Sequence, residues 1–145
     1  MNGWLLDTNV ISAFGPGKRP LPPDIAAWFR ARSEALYLST ISAAELEAGI
    51  AKLRRTGSDR RAENLRQWLD RVFDDYADRI LTFDLAAARI AGVLGDSAQA
   101  DARCPGFADI AIAAIAKARE LVLVTLNRRH FDPLRLEILN PFAPH

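Results

Sequence analysis

The apolar residues of this chain fall into short continuous runs and into longer segments with helical spacing. The largely apolar runs predict buried strands at residues 3–6, 36–39, 80–83 and 121–125, with a weaker edge strand at 136–139. In the intervening segments apolar residues recur three and four positions apart, which predicts helices at residues 8–14, 25–31, 42–55, 63–76, 85–93 and 105–118. Because strands alternate with helices, the pattern predicts an α/β fold with a central, mainly parallel sheet flanked by helices.

Length and composition indicate an ordinary globular chain. The 145 residues are expected to form a single domain over residues 1–145, which is large enough to bury a core without disulfides. Hydrophobic residues make up 50% of the chain and charged residues 26%. The 19 basic and 18 acidic residues leave a formal net charge of +1, so the overall charge does not identify a nucleic-acid-binding protein.

The sequence is expected to belong to a cytoplasmic protein. Its N-terminus lacks a basic segment followed by a long apolar stretch, and no run approaches the roughly 20 apolar residues of a membrane span. Cys104 is the only cysteine, so an intramolecular disulfide is excluded and a reducing compartment is expected. A buried structural thiol is the default for such a residue.

Three carboxylates lie in or beside apolar elements, where an unpaired charge is costly. Asp7 ends the first predicted strand, Glu45 lies in the first turn of a predicted helix, and Asp109 interrupts an almost wholly apolar helix. Each has a structural explanation. Asp7 can cap the helix that follows it, and the helix dipole favours Asp109 near a helix start. Glu45 stands three residues after Ser42, which is the spacing of a capping box.

A second explanation joins the three acids in one site. The carboxyl ends of parallel strands meet at one edge of a sheet, and ligands of open α/β folds bind there. If the two helix starts also lie at that edge, Asp7, Glu45 and Asp109 converge, and like charges raise one another's pKa unless a cation neutralises them. Oxygen-only ligands suit Mg²⁺ or Mn²⁺, which commonly bind together with substrate phosphate oxygens. The pattern therefore predicts a metal-dependent phosphoryl-transfer site.

Polar and basic residues extend this prediction. Asn127 follows the fourth predicted strand and is either a turn residue or a group that holds a metal-bound water or a phosphate. Arg128 and Arg129 are candidates for contacts with a nucleic-acid backbone. His130 is either a phosphate contact or, as the sequence favours, a surface or packed residue. Residues 52–66 hold six basic side chains against two acids, which indicates either a solvated helix end or a phosphate-contacting rim. Those basic side chains are Lys52, Arg54, Arg55, Arg60, Arg61 and Arg66.

Four segments in series resemble the PIN domain, in its VapC-like and FitB-like toxin branch. They are LLDTN at residues 5–9, SAAEL at 42–46 with Gly49 one turn later, DIAIAA at 109–114, and VTLN at 124–127 with Phe131. The segments keep the order and approximate spacing of that family and together cover nearly the whole chain.

The resemblance implies a PIN-like α/β fold and a Mg²⁺- or Mn²⁺-dependent endoribonuclease. It implies an acidic metal site formed by Asp7, Glu45 and Asp109. The supporting positions are Thr8, Asn9, Ser42, Thr125 and Asn127. Many relatives carry aspartate where this chain has Asn127, so the neutral side chain lowers the charge of the site and argues against a tightly held second metal ion. Candidates for contact with the RNA are Lys52, Arg54, Arg55, Arg128 and Arg129.

The resemblance also implies macromolecular partners. A type II toxin of this branch has a cognate VapB-like antitoxin, a small DNA-binding protein whose tail blocks the acidic groove. Homodimers and toxin–antitoxin hetero-oligomers are expected, and membrane association is not. In-line attack by an activated water would leave a 5′-phosphate and a 3′-hydroxyl on the cleaved RNA.

Other functions remain open at this point. A PIN-domain nuclease that processes RNA outside toxin–antitoxin systems, or an inactive PIN-like module that binds RNA or protein, would share the fold. A phosphohydrolase of the haloacid dehalogenase type requires an acid two residues after Asp7, where Asn9 stands. Residues 15–18, with the sequence GPGK, do not complete a phosphate-binding loop, because Arg19 follows where Ser or Thr would bind Mg²⁺.

Overall fold

The part of the chain that the structure describes contains five short parallel strands. The structure is a computed structural model that describes residues 3–99 and 105–142, so the prediction for Cys104 lies outside the described residues. The strands are β1 (Trp4–Leu6), β2 (Leu36–Ser39), β3 (Ile80–Leu81), β4 (Val122–Val124) and β5 (Ile138–Leu139). They form one sheet in the order β3-β2-β1-β4-β5, and each described pairing is parallel.

This sheet confirms the predicted α/β fold, and each predicted strand is present within its predicted bounds. In the central strand β1, Leu5 lies opposite Tyr37 of β2 and Leu123 of β4. Leu5 and Leu123 are fully buried, as expected for parallel strands that are covered on both faces. The carboxyl ends of β2, β1 and β4 therefore lie side by side at one edge of the sheet.

Helices pack on both faces of the sheet. They are α1 (Thr8–Ser12), α2 (Pro23–Ala31), α3 (Thr40–Arg55), α4 (Asp59–Asp75), α5 (Leu85–Gln99), α6 (Phe107–Ala118) and α7 (Arg128–Phe131). Leu5 and Leu123 point into a core with α5 and α6, whereas Leu6 and Val124 point into a core with α1 and α2. Successive side chains of a strand face opposite ways, so these two cores lie on opposite faces. Residues 110–116 of α6 are all buried, because that helix is apolar nearly all round.

Several helix bounds differ from the sequence prediction, among them the end of α1 and the starts of α2 and α6. Helix α3 begins at Thr40 rather than at residue 42, and α4 begins at Asp59 rather than at residue 63. Helix α7 was not predicted, because its four residues are too few for an apolar period to be recognised. Within residues 3–99 and 105–142, no helix combines the length and the apolar character that crossing a bilayer requires.

Candidate active site

Asp7 is a nearly buried carboxylate at the end of β1, with 5% of its surface exposed. Its Oδ1 accepts a hydrogen bond of 2.8 Å from the backbone N–H of Thr8, so Asp7 also caps α1. Its Oδ2 accepts a hydrogen bond of 2.8 Å from the hydroxyl of Thr125. Burial raises the pKa of Asp7; the two hydrogen bonds oppose this rise, and the charges of Asp109 and Glu45 add to it. Both carboxylate oxygens are hydrogen-bonded, yet the ionised form remains disfavoured.

Thr125 joins the end of β4 to the acidic site. It is fully buried, and its hydroxyl oxygen also accepts a hydrogen bond of 3.0 Å from the backbone N–H of Asn127. Beside it, Oδ1 of Asn9 accepts a hydrogen bond of 3.3 Å from the backbone N–H of Leu126. The Asn127 side chain is exposed and makes no cap hydrogen bond to α7. Thr125 and Asn9 thus fix the start of α1 against the end of β4, while Asn127 contributes its backbone.

Glu45 is held by α1 and not by the start of its own helix, so the predicted Ser42–Glu45 capping box is wrong. The cap of α3 is Ser39, the last residue of β2, whose side chain accepts a hydrogen bond of 3.1 Å from the backbone N–H of Ser42. The helix therefore starts two residues early, and Glu45 lies beyond its first turn. The hydroxyl of Thr8 donates to Oε1 of Glu45 at 2.6 Å and lies 2.8 Å from the hydroxyl of buried Ser42. Because Thr8 has a single hydroxyl proton, Ser42 is the donor in that second contact.

Asp109 lies in the first turn of α6 and is partly buried. Burial raises its pKa, the neighbouring His130 lowers it, and the charge of Glu45 raises it. Nδ1 of His130, on α7, lies 3.6 Å from Oδ2 of Asp109, and the His130 side chain is 58% exposed. The sequence favoured a surface or packed position for His130 over a contact with phosphate, and it did not predict this pairing with Asp109. The position of His130 after β4, at the carboxyl edge of the sheet, is the signal that points to it.

The chemistry of these groups fits a hydrated divalent cation. Asp109 and Glu45 each raise the pKa of Asp7, and Glu45 raises that of Asp109, so the three charges act on one another. Among the described residues, however, no three Asp, Glu, His or Cys side chains are grouped closely enough to hold a metal ion as they stand. Mg²⁺ usually keeps several waters and binds only one or two protein carboxylates. The donor set therefore suits such an ion with an incomplete protein shell, and it does not form a closed cage of three carboxylates.

The basic residues of the 52–66 run divide into paired and unpaired groups. Arg66 forms a two-pronged contact with Glu47 across α3 and α4, and Arg54 lies 3.4 Å from Glu63. These ion pairs connect the two helices and are exposed. Within the described ranges no ion pair involves the remaining members, which are Lys52, Arg55, Arg60 and Arg61.

The two arginines after β4 are also exposed. The guanidinium of Arg128 lies 3.8 Å from Asp132 and donates a hydrogen bond of 3.4 Å to the carbonyl of Ile138. Arg129 lies beside it on α7, next to His130. Both lie close in sequence to the polar residues at the end of β4. Contacts of Arg128 and Arg129 with phosphate stay a prediction.

Gly49→Ala is expected to stabilise the fold. Gly49 lies inside α3, and a Cβ at this position would meet no neighbouring group within 4 Å. Alanine should therefore raise the free energy of unfolding by about 0.5–1 kcal/mol through helix propensity alone. Urea denaturation measures the change. Gly92→Ala is the matched control, since Gly92 lies in α5 with equally open surroundings, and a loss of stability in Gly49→Ala alone would contradict the prediction.

Comparison with known proteins agrees with this architecture. The family model of the PIN domain matches residues 4–134. Plasmid stability protein StbB of Pseudomonas syringae pv. tomato is 37% identical over 140 residues, covering 95% of this chain and 97% of that protein. VapC ribonuclease Y4jK of Sinorhizobium fredii is 37% identical over 147 residues, covering 97% and 98%. The crystal structure of FitAcB from Neisseria gonorrhoeae has a TM-score of 0.81 at 33% identity, covering 97% of this chain and 99% of that chain. The chain therefore belongs to the PIN-domain family, in the branch that contains VapC ribonucleases and the FitB toxin.

Proposed function

We propose that this chain is a Mg²⁺- or Mn²⁺-dependent endoribonuclease that acts in the cytoplasm as the toxin of a type II toxin–antitoxin module. The observation that carries the proposal is the mutual electrostatic influence of Asp7, Glu45 and Asp109. Burial and like charge disfavour the ionised forms of Asp7 and Asp109, and a bound divalent cation would relieve both effects. Acids held in such an unfavourable state are typical of catalytic sites.

The three acids of the site divide into two roles in this proposal. A bound divalent ion would lower the pKa of a water molecule and stabilise charge on the scissile phosphate. Asp7 and Asp109 would hold that ion, directly or through water. Glu45 would orient the attacking water or accept its proton, most simply at Oε2, since Oε1 already accepts the hydroxyl proton of Thr8. In-line attack would leave a 5′-phosphate and a 3′-hydroxyl.

The named relatives support the toxin role. One relative is called a VapC ribonuclease, another is called Toxin FitB, and a third is called a plasmid stability protein. A solved FitAB assembly bound to a DNA fragment is 30% identical to this chain with a TM-score of 0.80. By analogy, the partners of this chain would be a small VapB-like antitoxin and a second copy of the toxin, joined in a hetero-oligomer.

One observation favours an inactive binding module as a second candidate. The acids of the described residues do not form a ready-made metal cluster, as an active nuclease with a rigid metal site would. Such a module would bind RNA or protein without cleavage. A PIN nuclease that processes RNA outside toxin–antitoxin systems would keep the chemistry and would lack the antitoxin.

Wild-type protein is expected to cleave RNA only when Mg²⁺ or Mn²⁺ is present. Structured RNA with exposed loops, such as total tRNA, is the appropriate substrate, because unstacked loop bases are accessible to proteins. Denaturing gels with Mg²⁺, with Mn²⁺ and with EDTA measure cleavage, and end labelling identifies the 5′-phosphate. Equal cleavage in EDTA would refute metal dependence. No cleavage under any of these conditions would favour the binding module.

Expression of the chain in a bacterial host tests the toxin role separately. Growth arrest that co-expression of the neighbouring gene relieves would support a toxin with an antitoxin. RNA cleavage in vitro without growth arrest would support an RNA-processing nuclease.

A further inference from the structure

A groove leads away from the acidic site between α3, α4 and the loop that follows α1. Its inner part has a volume of about 240 Å³ and begins at Thr8 and Glu45. Its outer part, of about 560 Å³, opens beside the start of α4. Lys18, Arg61 and Leu65 line both parts, so the two form one continuous path. We call this path the α3–α4 groove.

The outer end of the α3–α4 groove is basic. Lys18, Arg60 and Arg61 line it together with Asp59, and all four side chains are exposed. Within the described parts of the chain, none of these three cations takes part in an ion pair. The acids at the inner end would repel a polyanion, while the outer cations would attract it. A polyanion that extends from the acidic site into the groove would thus be bound at the outer end, away from the acids.

The loop that carries Lys18 is the GPGK segment at residues 15–18, which fails as a phosphate-binding loop of the nucleotide-binding type. Gly17 has φ of +80°, a conformation that other residues rarely adopt, and this turn brings Pro16 and Lys18 to the edge of the groove. Gly57, which also lines the groove, has φ of +88° and shortly precedes Arg60 and Arg61. Two glycine turns and the cations that follow them therefore line the same opening.

The floor of the inner groove is apolar and is left open at one position. Leu46, Leu53 and Trp68 line it. Gly49 lines it too, and nothing in the fold fills the space that a side chain there would occupy. Because alanine would favour the helix by about 0.5–1 kcal/mol, glycine at this position is not explained by the stability of α3. Its effect on the groove is to leave the lining open at this position.

We propose that the α3–α4 groove is the path of a single RNA strand that flanks the cleaved phosphate. Lys18 and Arg61 contact its phosphates, and its bases lie against the apolar floor. The inference rests on the proposed function, because the groove begins at the proposed catalytic acids. It assigns to the GPGK loop, to Arg61 and to Gly49 a role in binding RNA that the chemistry of cleavage does not require.

Binding of a fluorescent single-stranded RNA, measured by anisotropy in EDTA, tests the groove without cleavage. Lys18→Gln and Arg61→Gln are each expected to weaken binding roughly three- to tenfold. Each should also reduce the slope of log affinity against log salt by about 0.7, the value for one lost phosphate contact on a single strand. Arg89→Gln is the matched control, because Arg89 is an exposed arginine on α5 outside the groove, and its affinity should equal that of the wild type.

A steric variant provides an independent measurement. Gly49→Leu should reduce affinity at least about tenfold by filling the groove, while Gly92→Leu on α5 should not. Thermal melts of both variants verify that they are folded. The proposal would be overturned if Lys18→Gln, Arg61→Gln and Gly49→Leu each bound RNA with the affinity of the wild type, even if the wild type cleaves RNA.

Cleavage assays distinguish failure of this proposal from failure of the proposed nuclease. If the wild type binds RNA in a groove-dependent manner and never cleaves it, the nuclease function fails and the groove stands. If cleavage occurs and the groove variants change neither KM nor its dependence on the length of the RNA flank, the groove fails alone. If the variants leave RNA binding intact and weaken the complex with a co-expressed antitoxin, the groove belongs to the protein partner, and the RNA assignment is wrong.

Discussion

Asp7→Asn is expected to reduce RNA cleavage by roughly 100-fold or more and to leave the fold intact. The substitution removes the charge of the most buried acid of the site. The asparagine side chain can still accept the Thr8 N–H through its oxygen and can donate its amide N–H to the hydroxyl of Thr125, the two groups that now bind Asp7. Initial rates on a defined RNA in saturating Mg²⁺, with the variant and wild type at equal concentration, measure the loss.

The same variant should be as stable as the wild type or more stable. Burial raises the pKa of Asp7, so ionising this carboxyl group costs more free energy in the native state than in the unfolded chain. A neutral isostere removes that cost, and the free energy of unfolding should increase by on the order of 1 kcal/mol when measured in EDTA. An inactive and stabilised variant separates catalytic loss from unfolding, which a destabilised variant would not do.

Two further variants complete this experiment. Asp109→Asn should also lose activity, because the pKa of Asp109 is raised by burial and by Glu45 in the same site. Asp74→Asn is the matched control, since Asp74 is an exposed acid near the end of α4. Wild-type cleavage rates in both Asp7→Asn and Asp109→Asn would refute the assignment of these carboxylates to the metal.

The sequence predicted the sheet well, because parallel strands buried on both faces appear as continuous apolar runs. The run at residues 121–125 and the position of Asp7 after β1 required no other information. Helix α6 was equally recognisable, since a buried helix is apolar on all sides.

The sequence pattern did not predict the contacts within the site. Thr8 and Glu45 are 37 residues apart and meet only because α3 packs against α1. The pattern assigned Ser39 to a strand and Ser42 to a capping box, whereas Ser39, the last residue of β2, is the cap of α3. A residue can end a strand and cap the next helix at once, and local patterns do not resolve that overlap. The pairing of His130 with Asp109 depends in the same way on where α7 packs.

Thr125→Val is expected to lower the free energy of unfolding by about 1–3 kcal/mol at neutral pH. The side chain is fully buried and donates a hydrogen bond of 2.8 Å to Oδ2 of Asp7. Valine has nearly the same shape but no hydroxyl, so a buried, ionised oxygen would lose its donor. Urea denaturation in EDTA measures the effect. Thr125→Ser, which keeps the hydroxyl, is the control and should retain most of the stability contributed by this hydrogen bond.

The penalty of Thr125→Val should depend on pH in a defined direction. The pKa of Asp7 is raised by burial, and the hydroxyl of Thr125 limits that rise. For an acid with a raised pKa the native state binds the proton more tightly than the unfolded chain, so stability falls as pH increases from the unfolded value of about 3.9 through the folded pKa. Valine would raise the folded pKa further and enlarge this fall. The difference between variant and wild type should therefore be smallest near the unfolded value and largest at neutral pH.

Combining Thr125→Val with Asp7→Asn identifies the acid whose titration causes this pH dependence. In the Asp7→Asn background no charge develops at position 7, so the penalty of Thr125→Val should become independent of pH. It should also fall to the cost of a neutral hydrogen bond, about 0.5–1.5 kcal/mol. Contributions from other acids, such as Glu47 with its pKa lowered by Arg66, cancel when the two variants of each pair are compared. If the pH dependence persists in the double variant, Asp109 or another acid interacts with Thr125, and the hydrogen bond to Asp7 does not set the charge state of the site.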